Sequence, residues 1–238
     1  MSELYSMSQH IIQLLQQHDN FQKVVPFDHD IDLLIQPDLS AANSALTKEV
    51  MNDIDKFSEW FDQLRKKNNA LYAIGGYAEH RRVYANSPVF DKKDQQPARR
   101  FHLGIDIWGE VMTPVMTPLQ ARVHSTAFND RNGDYGGTVI LEHKLEGIRF
   151  YTLYGHLSLA PLEKLFPGKE LEPGEAFAAF GLPNENGYWP PHLHFQLIEE
   201  LGEKMGDYPG VCAYEEREQW LLNSPDPDLI LQMLKYVQ

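Results

Sequence analysis

Cysteine is almost absent. The single thiol, Cys212, has no partner for an internal disulfide, which excludes a disulfide-stapled scaffold and favours a reducing compartment. Lying beside no histidine motif, it reads as a small core residue rather than a nucleophile. Basic charge is short as well: 21 Lys+Arg stand against 34 Asp+Glu, and a formal charge of -13 leaves no positive stripe for nucleic acid or for an anionic membrane. No run of about 18 apolar residues is available to span a bilayer. The N-terminal Met-Ser-Glu-Leu-Tyr-Ser-Met-Ser-Gln-His lacks the basic n-region and apolar stretch of a secretory signal. A cytoplasmic protein is expected, secreted or periplasmic only if a leader was removed or export is non-classical. There is no internal repeat and no low-complexity tract.

The sequence does have the apolar content for a sizeable core, with 42% hydrophobic and 11% aromatic residues in 238. Leu4, Met7, Ile11, Leu14 and Leu15 recur at helical steps and predict an amphipathic helix over 3–17. A stronger stripe, Leu46, Val50, Ile54, Phe57, Phe61 and Leu64, predicts a second helix with Thr47 as N-cap. From Leu71 the period changes to two and turn residues recur, the pattern of antiparallel β structure. Strands are expected at 71–74, 82–89 and 101–108, and a hairpin at 138–143 and 148–157, with a polar loop over 91–97. After Glu200 an acidic stretch leads to a helix over 215–222 and a last one beyond Pro225-Asp226-Pro227. The reading is α+β: an N-terminal helical extension (1–70), a mainly antiparallel β-rich domain (71–200) and a C-terminal helical segment (201–238).

Six of the ten histidines lie between 102 and 194. In an extended strand residues two apart share a face, so His192 and His194 project together while Leu193, Phe195 and Leu197 point into a core. The stretch Phe101-His102-Leu103-Gly104-Ile105-Asp106-Ile107 alternates in the same way, with His102 and Asp106 on one face. Two imidazoles and a carboxylate are the donor set of a catalytic zinc with an open fourth position, and equally the facial set of non-haem Fe(II) oxygenases. His124 and His143, lone in their strands, read as hydrogen-bonded or surface residues. His10, His18, His29 and His80 have no motif around them. The Asn129–Asp134 loop lacks the full ligand pattern of a calcium loop.

His102-Leu103-Gly104-Ile105-Asp106, Tyr154-Gly155-His156-Leu157-Ser158 and Pro191-His192-Leu193-His194-Phe195 resemble, in order and spacing, the three signatures of the lysostaphin-type (LytM-like) zinc endopeptidases. The resemblance covers about residues 99–199 and includes Tyr135-Gly136-Gly137-Thr138-Val139. It implies that His102, Asp106 and His194 bind one Zn²⁺ per chain, and that His156 and His192 line the pocket as catalytic groups. One imidazole would take a proton and the other stabilise the oxyanion or protonate the leaving amine. The implied activity is hydrolysis of an amide in a peptide or peptidoglycan-fragment substrate by metal-activated water. Tyr154, Trp189 and Arg100 are candidate substrate contacts.

The chain departs from that pattern in two places. Tyr188-Trp189-Pro190-Pro191 replaces the small residues that usually precede the final motif, which reshapes the cleft, and Gln196 stands where a Glu is usual, on the histidine face, where it alters a hydrogen bond behind the ligands. With no signal sequence to reach a cell wall, an intracellular metal hydrolase of a small peptide or amide metabolite is the alternative, and a non-catalytic metal-binding module of the same fold is another.

Overall fold

The computed structural model describes residues 2–40, 42–81 and 97–238. In chain order these form helix α1 (Ser2–Gln17), strand β1 (Leu33–Ile35), helices α2 (Lys48–Asn52) and α3 (Ile54–Lys67), and strand β2 (Ala70–Gly75). Next come β3 (Arg99–His102), β4 (Ile105–Trp108), β5 (Pro114–Met116), β6 (Ala121–Asn129), β7 (Gly136–Leu145), β8 (Ile148–Leu157), α4 (Leu159–Leu162), β9 (Glu170–Leu171), β10 (Ala176–Ala179) and β11 (His192–Ile198). The chain closes with β12 (Val211–Ala213), α5 (Arg217–Asn223) and α6 (Asp228–Leu231). Among the described residues no helix is long and apolar enough to cross a membrane.

The main sheet runs β1-β2-β4-β11-β8-β7-β6-β9, antiparallel throughout except for the parallel pair β1–β2. β11 sits in its middle and is buried along its whole length. One face packs Ile105, Ile107, Val139, Tyr154, Leu193, Phe195 and Leu197 into the largest apolar cluster, which also takes Ile11 and Leu15 from α1. On the other side of the β2–β4 edge, Phe57 and Phe61 of α3 pack with Ala73 and Trp108. Arg65 ties α3 to that edge by donating to Leu71 O (3.0 Å) and to Asp62 and Glu110 (both 2.7 Å).

Several expectations need correction. Residues 1–70, expected as a helical extension, also hold a strand: β1 adds an edge strand to the sheet, and the α3 stripe packs into a core with it. The second helix is two helices. Thr47 caps the first by accepting from Val50 N, but Asp53 adopts an extended backbone and caps α3 anew through Asp55 N and Lys56 N; a carboxylate at an N-cap outcompetes helix continuation there. The expected strand 101–108 is two strands in different sheets, β3 pairing with β12 and β4 with β2 and β11. The hairpin is as expected, turning at Glu146 (φ 48°) and Gly147 (φ 87°). The expected strand at 82–89 and most of the loop at 91–97 lie outside the described residues, as do the side chains of Leu4 and Met7. Cys212 is buried in β12, where burial pushes its thiol up to about 12.

His143, on β7, is structural. Its ring stacks on Phe150 (5.1 Å), Nδ1 faces Gln120 O at 3.1 Å and Nε2 faces Thr152 Oγ1 at 2.7 Å, so the neutral Nδ1–H form is satisfied. Burial lowers its pKa to about 4, below the unfolded value of 6.5. As pH falls below about 6.5 the unfolded chain gains a proton that the fold refuses. Stability is therefore full above that pH and declines towards pH 4, by at most about 1.4 kcal/mol per pH unit for one group. Urea midpoints measured across this window should fall less steeply for His143→Gln than for the wild type; equal slopes would assign the acid lability elsewhere.

Candidate metal centre and catalytic cleft

Strand register assembles the site. On β11, His194 pairs with Asp106 of β4 on one side and Gly155 of β8 on the other, and His192 pairs with Trp108. Gly104 breaks the chain between β3 and β4, and a Cβ there would lie 2.7 Å from Nε2 of His194 and 2.8 Å from Phe195 O, so the motif needs glycine to let the histidine ring in. His102 Nε2, His194 Nδ1 and Asp106 Oδ1 converge, with separations of 3.0 Å between the two nitrogens, 3.0 Å from His194 to the carboxylate and 3.4 Å from His102 to it. All three residues are buried, and among the described residues they are the one group of this size and kind able to hold a metal ion.

Hydrogen bonds behind the ligands set which nitrogen faces in. His102 Nδ1 donates to Gly76 O at 2.9 Å, leaving Nε2 as a lone pair. Gln196 donates its amide N–H groups to Pro209 O (3.2 Å) and Ser224 Oγ (3.0 Å), so its Oε1 is the atom that accepts from His194 Nε2 at 3.0 Å. His194 Nδ1 is thereby a lone pair too. Burial lowers His102 to about 4, helped by the Arg81 charge, and keeps it neutral; the carboxyl of Asp106 is held well below its usual range, the cost of its burial being opposed by the Arg81 guanidinium beside it. Three acceptors facing one another without a hydrogen between them call for a cation. Their separations match the edges, about 3.3 Å, of a tetrahedron with bonds of about 2.0 Å.

His156 and His192 stack at 4.1 Å beside this cluster, and each donates from Nδ1 to a carbonyl, Asn186 O and Pro190 O respectively, both at 2.7 Å. Burial holds both imidazoles neutral, His192 at about 4 and His156 well below its usual value, so each turns an unprotonated Nε2 to the cleft. His156 is in the left-handed region at φ 64°. That twist breaks the alternation of β8: simple period two would place it with Tyr154, yet Tyr154 pairs beside Phe195 in the core and His156 turns to the site. A bulky residue at such φ is strained, and strain of this kind gathers at functional positions.

The cleft has a volume of about 310 Å³ and is bordered by parts of the chain far from the motifs: Leu39 and Phe57 from the N-terminal region, and Asp207 to Val211 from the C-terminal one. Phe61 of α3 stacks on Trp108 (4.6 Å), which stacks on His192 (5.6 Å). The N-terminal region thus props a cleft histidine, and Pro209 and Ser224 prop a ligand through Gln196.

Of the expected substrate contacts, Trp189 lines the cleft. Tyr154 does not: it is fully buried against Phe177 and Phe195. Arg99, rather than Arg100, lines the cleft; Arg100 is half-buried and its Nη1 donates to Arg99 O. Two further residues escaped the sequence reading. Tyr135 lies against His194 (5.2 Å) and His156 (5.6 Å), in a stretch that the resemblance includes without assigning the ring a role. Arg81 pairs with Asp106, and no local signal marks it.

No curated protein sequence matches the chain. Among solved structures, the catalytic domain of lysostaphin from Staphylococcus simulans is 19% identical over 74% of this chain and 97% of its own, with a TM-score of 0.42. LytU is 24% identical over 48% of this chain and 72% of its own (TM-score 0.35). A zinc-containing peptidase from Vibrio cholerae is 22% identical over 45% of this chain and only 30% of its own (TM-score 0.33). The profile of peptidase family M23 matches residues 100–205, the segment that carries all three histidine motifs. Through that segment, somewhat less than half of the chain, the protein is similar to the peptidases of family M23.

Proposed function

We propose that this protein is a zinc-dependent metallopeptidase that hydrolyses an amide bond in a peptidoglycan-type or related peptide, with His102, Asp106 and His194 as the metal ligands and His156 and His192 as the catalytic pair. The observation that carries the reading is the meeting of three inward-facing acceptors with two neutral imidazoles stacked beside them. Bound there, zinc would supply Lewis acidity, polarising a carbonyl and making water acidic near neutral pH.

The chain's own groups do the rest. A neutral Nε2 on His156 or His192 takes a proton from the attacking water, and the imidazolium so formed gives that proton to the oxyanion or to the departing amine. The carbonyls of Asn186 and Pro190 hold both rings in the tautomer this needs. Trp189 and Tyr135 border the space where a peptide lies.

The small-peptide hydrolase is kept as a second reading, since Leu39 and Phe57 of the N-terminal region also line the cleft. The test is metal quantification on the purified protein followed by cleavage assays on short peptides and on intact sacculi. About one zinc per chain is expected, with hydrolysis lost on chelation and restored by zinc. Cleavage confined to short soluble peptides selects the second reading. A metal-free protein of undiminished activity refutes both.

A further inference from the structure

We propose that Arg81 is a positioning residue for the metal centre: it holds Oδ2 of Asp106, so that this carboxylate offers a metal only one oxygen and a coordination position stays open for water. The proposal rests on His102, Asp106 and His194 being the metal ligands.

A carboxylate can ligate through one oxygen or both, and a free Asp side chain rotates between the two. Here rotation is blocked. Arg81 is 2% exposed; Nη1 donates to Asp106 Oδ2, Nε to Glu79 Oε2 at 2.8 Å and Nη2 to Gly75 O at 3.3 Å. The opposite oxygen, Oδ1, is the one that faces His102 and His194. A planar fork can bind two carboxylates and a carbonyl at once, which a lysine ammonium on its flexible stem does less well. A buried guanidinium is costly unless its partners are all in place, so the contact is held by every one of them.

The backbone aims this side chain. Arg81 N donates to Arg100 O (2.9 Å), Ala78 N to His102 O (3.1 Å) and His102 N to Glu79 O (2.9 Å), so the segment is laid along β3, the strand that ends in a ligand. Gly76, at φ 103°, takes the His102 Nδ1–H on its carbonyl, and a Cβ there would overlap the Arg81 guanidinium. One turn therefore supports two of the three ligands from behind. With the cluster kept to three protein donors, the arrangement is that of a catalytic rather than a closed zinc site.

Cobalt(II) titration tests this without relying on turnover. The wild type should take up about one Co²⁺ per chain and show the intense visible bands of four-coordinate cobalt. Arg81→Met, checked for native circular dichroism, should lose most of that intensity as the second Asp106 oxygen joins the metal, and Arg81→Gln, whose amide can still donate to Oδ2, should recover it. A folded Arg81→Met protein with the wild-type spectrum overturns the proposal. Should that variant fail to fold, X-ray absorption of the zinc-loaded wild type decides: a one-oxygen carboxylate supports the role and a two-oxygen one overturns it. Absence of metal uptake by the wild type would instead overturn the metal centre, and this proposal with it.

Discussion

His194→Ala is expected to copurify with almost no zinc and to hydrolyse nothing that the wild type cleaves. The variant removes Nδ1, the donor that lies 3.0 Å from both His102 Nε2 and Asp106 Oδ1, and leaves two ligands with a gap on β11. Losing a partner behind a ligand already costs about 10- to 100-fold in metal affinity, and losing the ligand itself must cost more. The fold should survive, because the strand pairs on both sides of position 194 are backbone bonds and the metal-free site loses one of three mutually repelling acceptors. Thermal unfolding gives a second readout. Zinc at about 100 times its Kd should stabilise the wild type by roughly 2.7 kcal/mol, and should leave the variant unchanged. Retained hydrolysis in a folded His194→Ala protein would show that the cluster is not the catalytic centre.

His156→Ala and His192→Ala should behave in the opposite way, keeping zinc and losing turnover. Neither ring belongs to the converging trio, so metal content is expected to remain about one per chain. Removing a general acid or base typically lowers kcat by about 10²- to 10⁴-fold, with KM changing much less. The two rings stack at 4.1 Å and serve the same proton, so the double variant should fall well short of the product of the single losses. Zinc loss from either single variant would move that histidine into the ligand set. A third check is structural: Trp108 holds His192 from behind, so Trp108→Ala should lower kcat in the same direction while leaving the metal in place.

How far the site was legible in advance differs residue by residue. His192 and His194 could be paired from period two alone, because β11 is regular there and the pleat sends alternate side chains to one face, whereas His102 ends β3 and meets Asp106 of β4 across the break at Gly104. His156 could not. Period two predicts that it shares a face with Tyr154, and the left-handed backbone at His156 undoes that, leaving Tyr154 in the core. Helical periodicity found α3 but ran through Asp53, because a hydrophobic stripe does not register a cap between two helices.

Charge, composition and the three histidine motifs, all local properties of the sequence, were enough by themselves to set the net charge of -13, to leave a single thiol with no partner for an internal disulfide, and to supply the donor types of a metal site. The tertiary structure decided everything that depends on contacts between distant segments. It assigned β1 to the sheet, put Leu39 and Phe57 at the cleft, braced His194 through Gln196 and Ser224, and placed Arg81 on Asp106. The physical reason is common to all four. A strand's pleat and a helix's turn are written every two to four residues, whereas a buried ion pair spanning 25 positions or a hydrogen bond spanning 28 exists only once the intervening chain has folded.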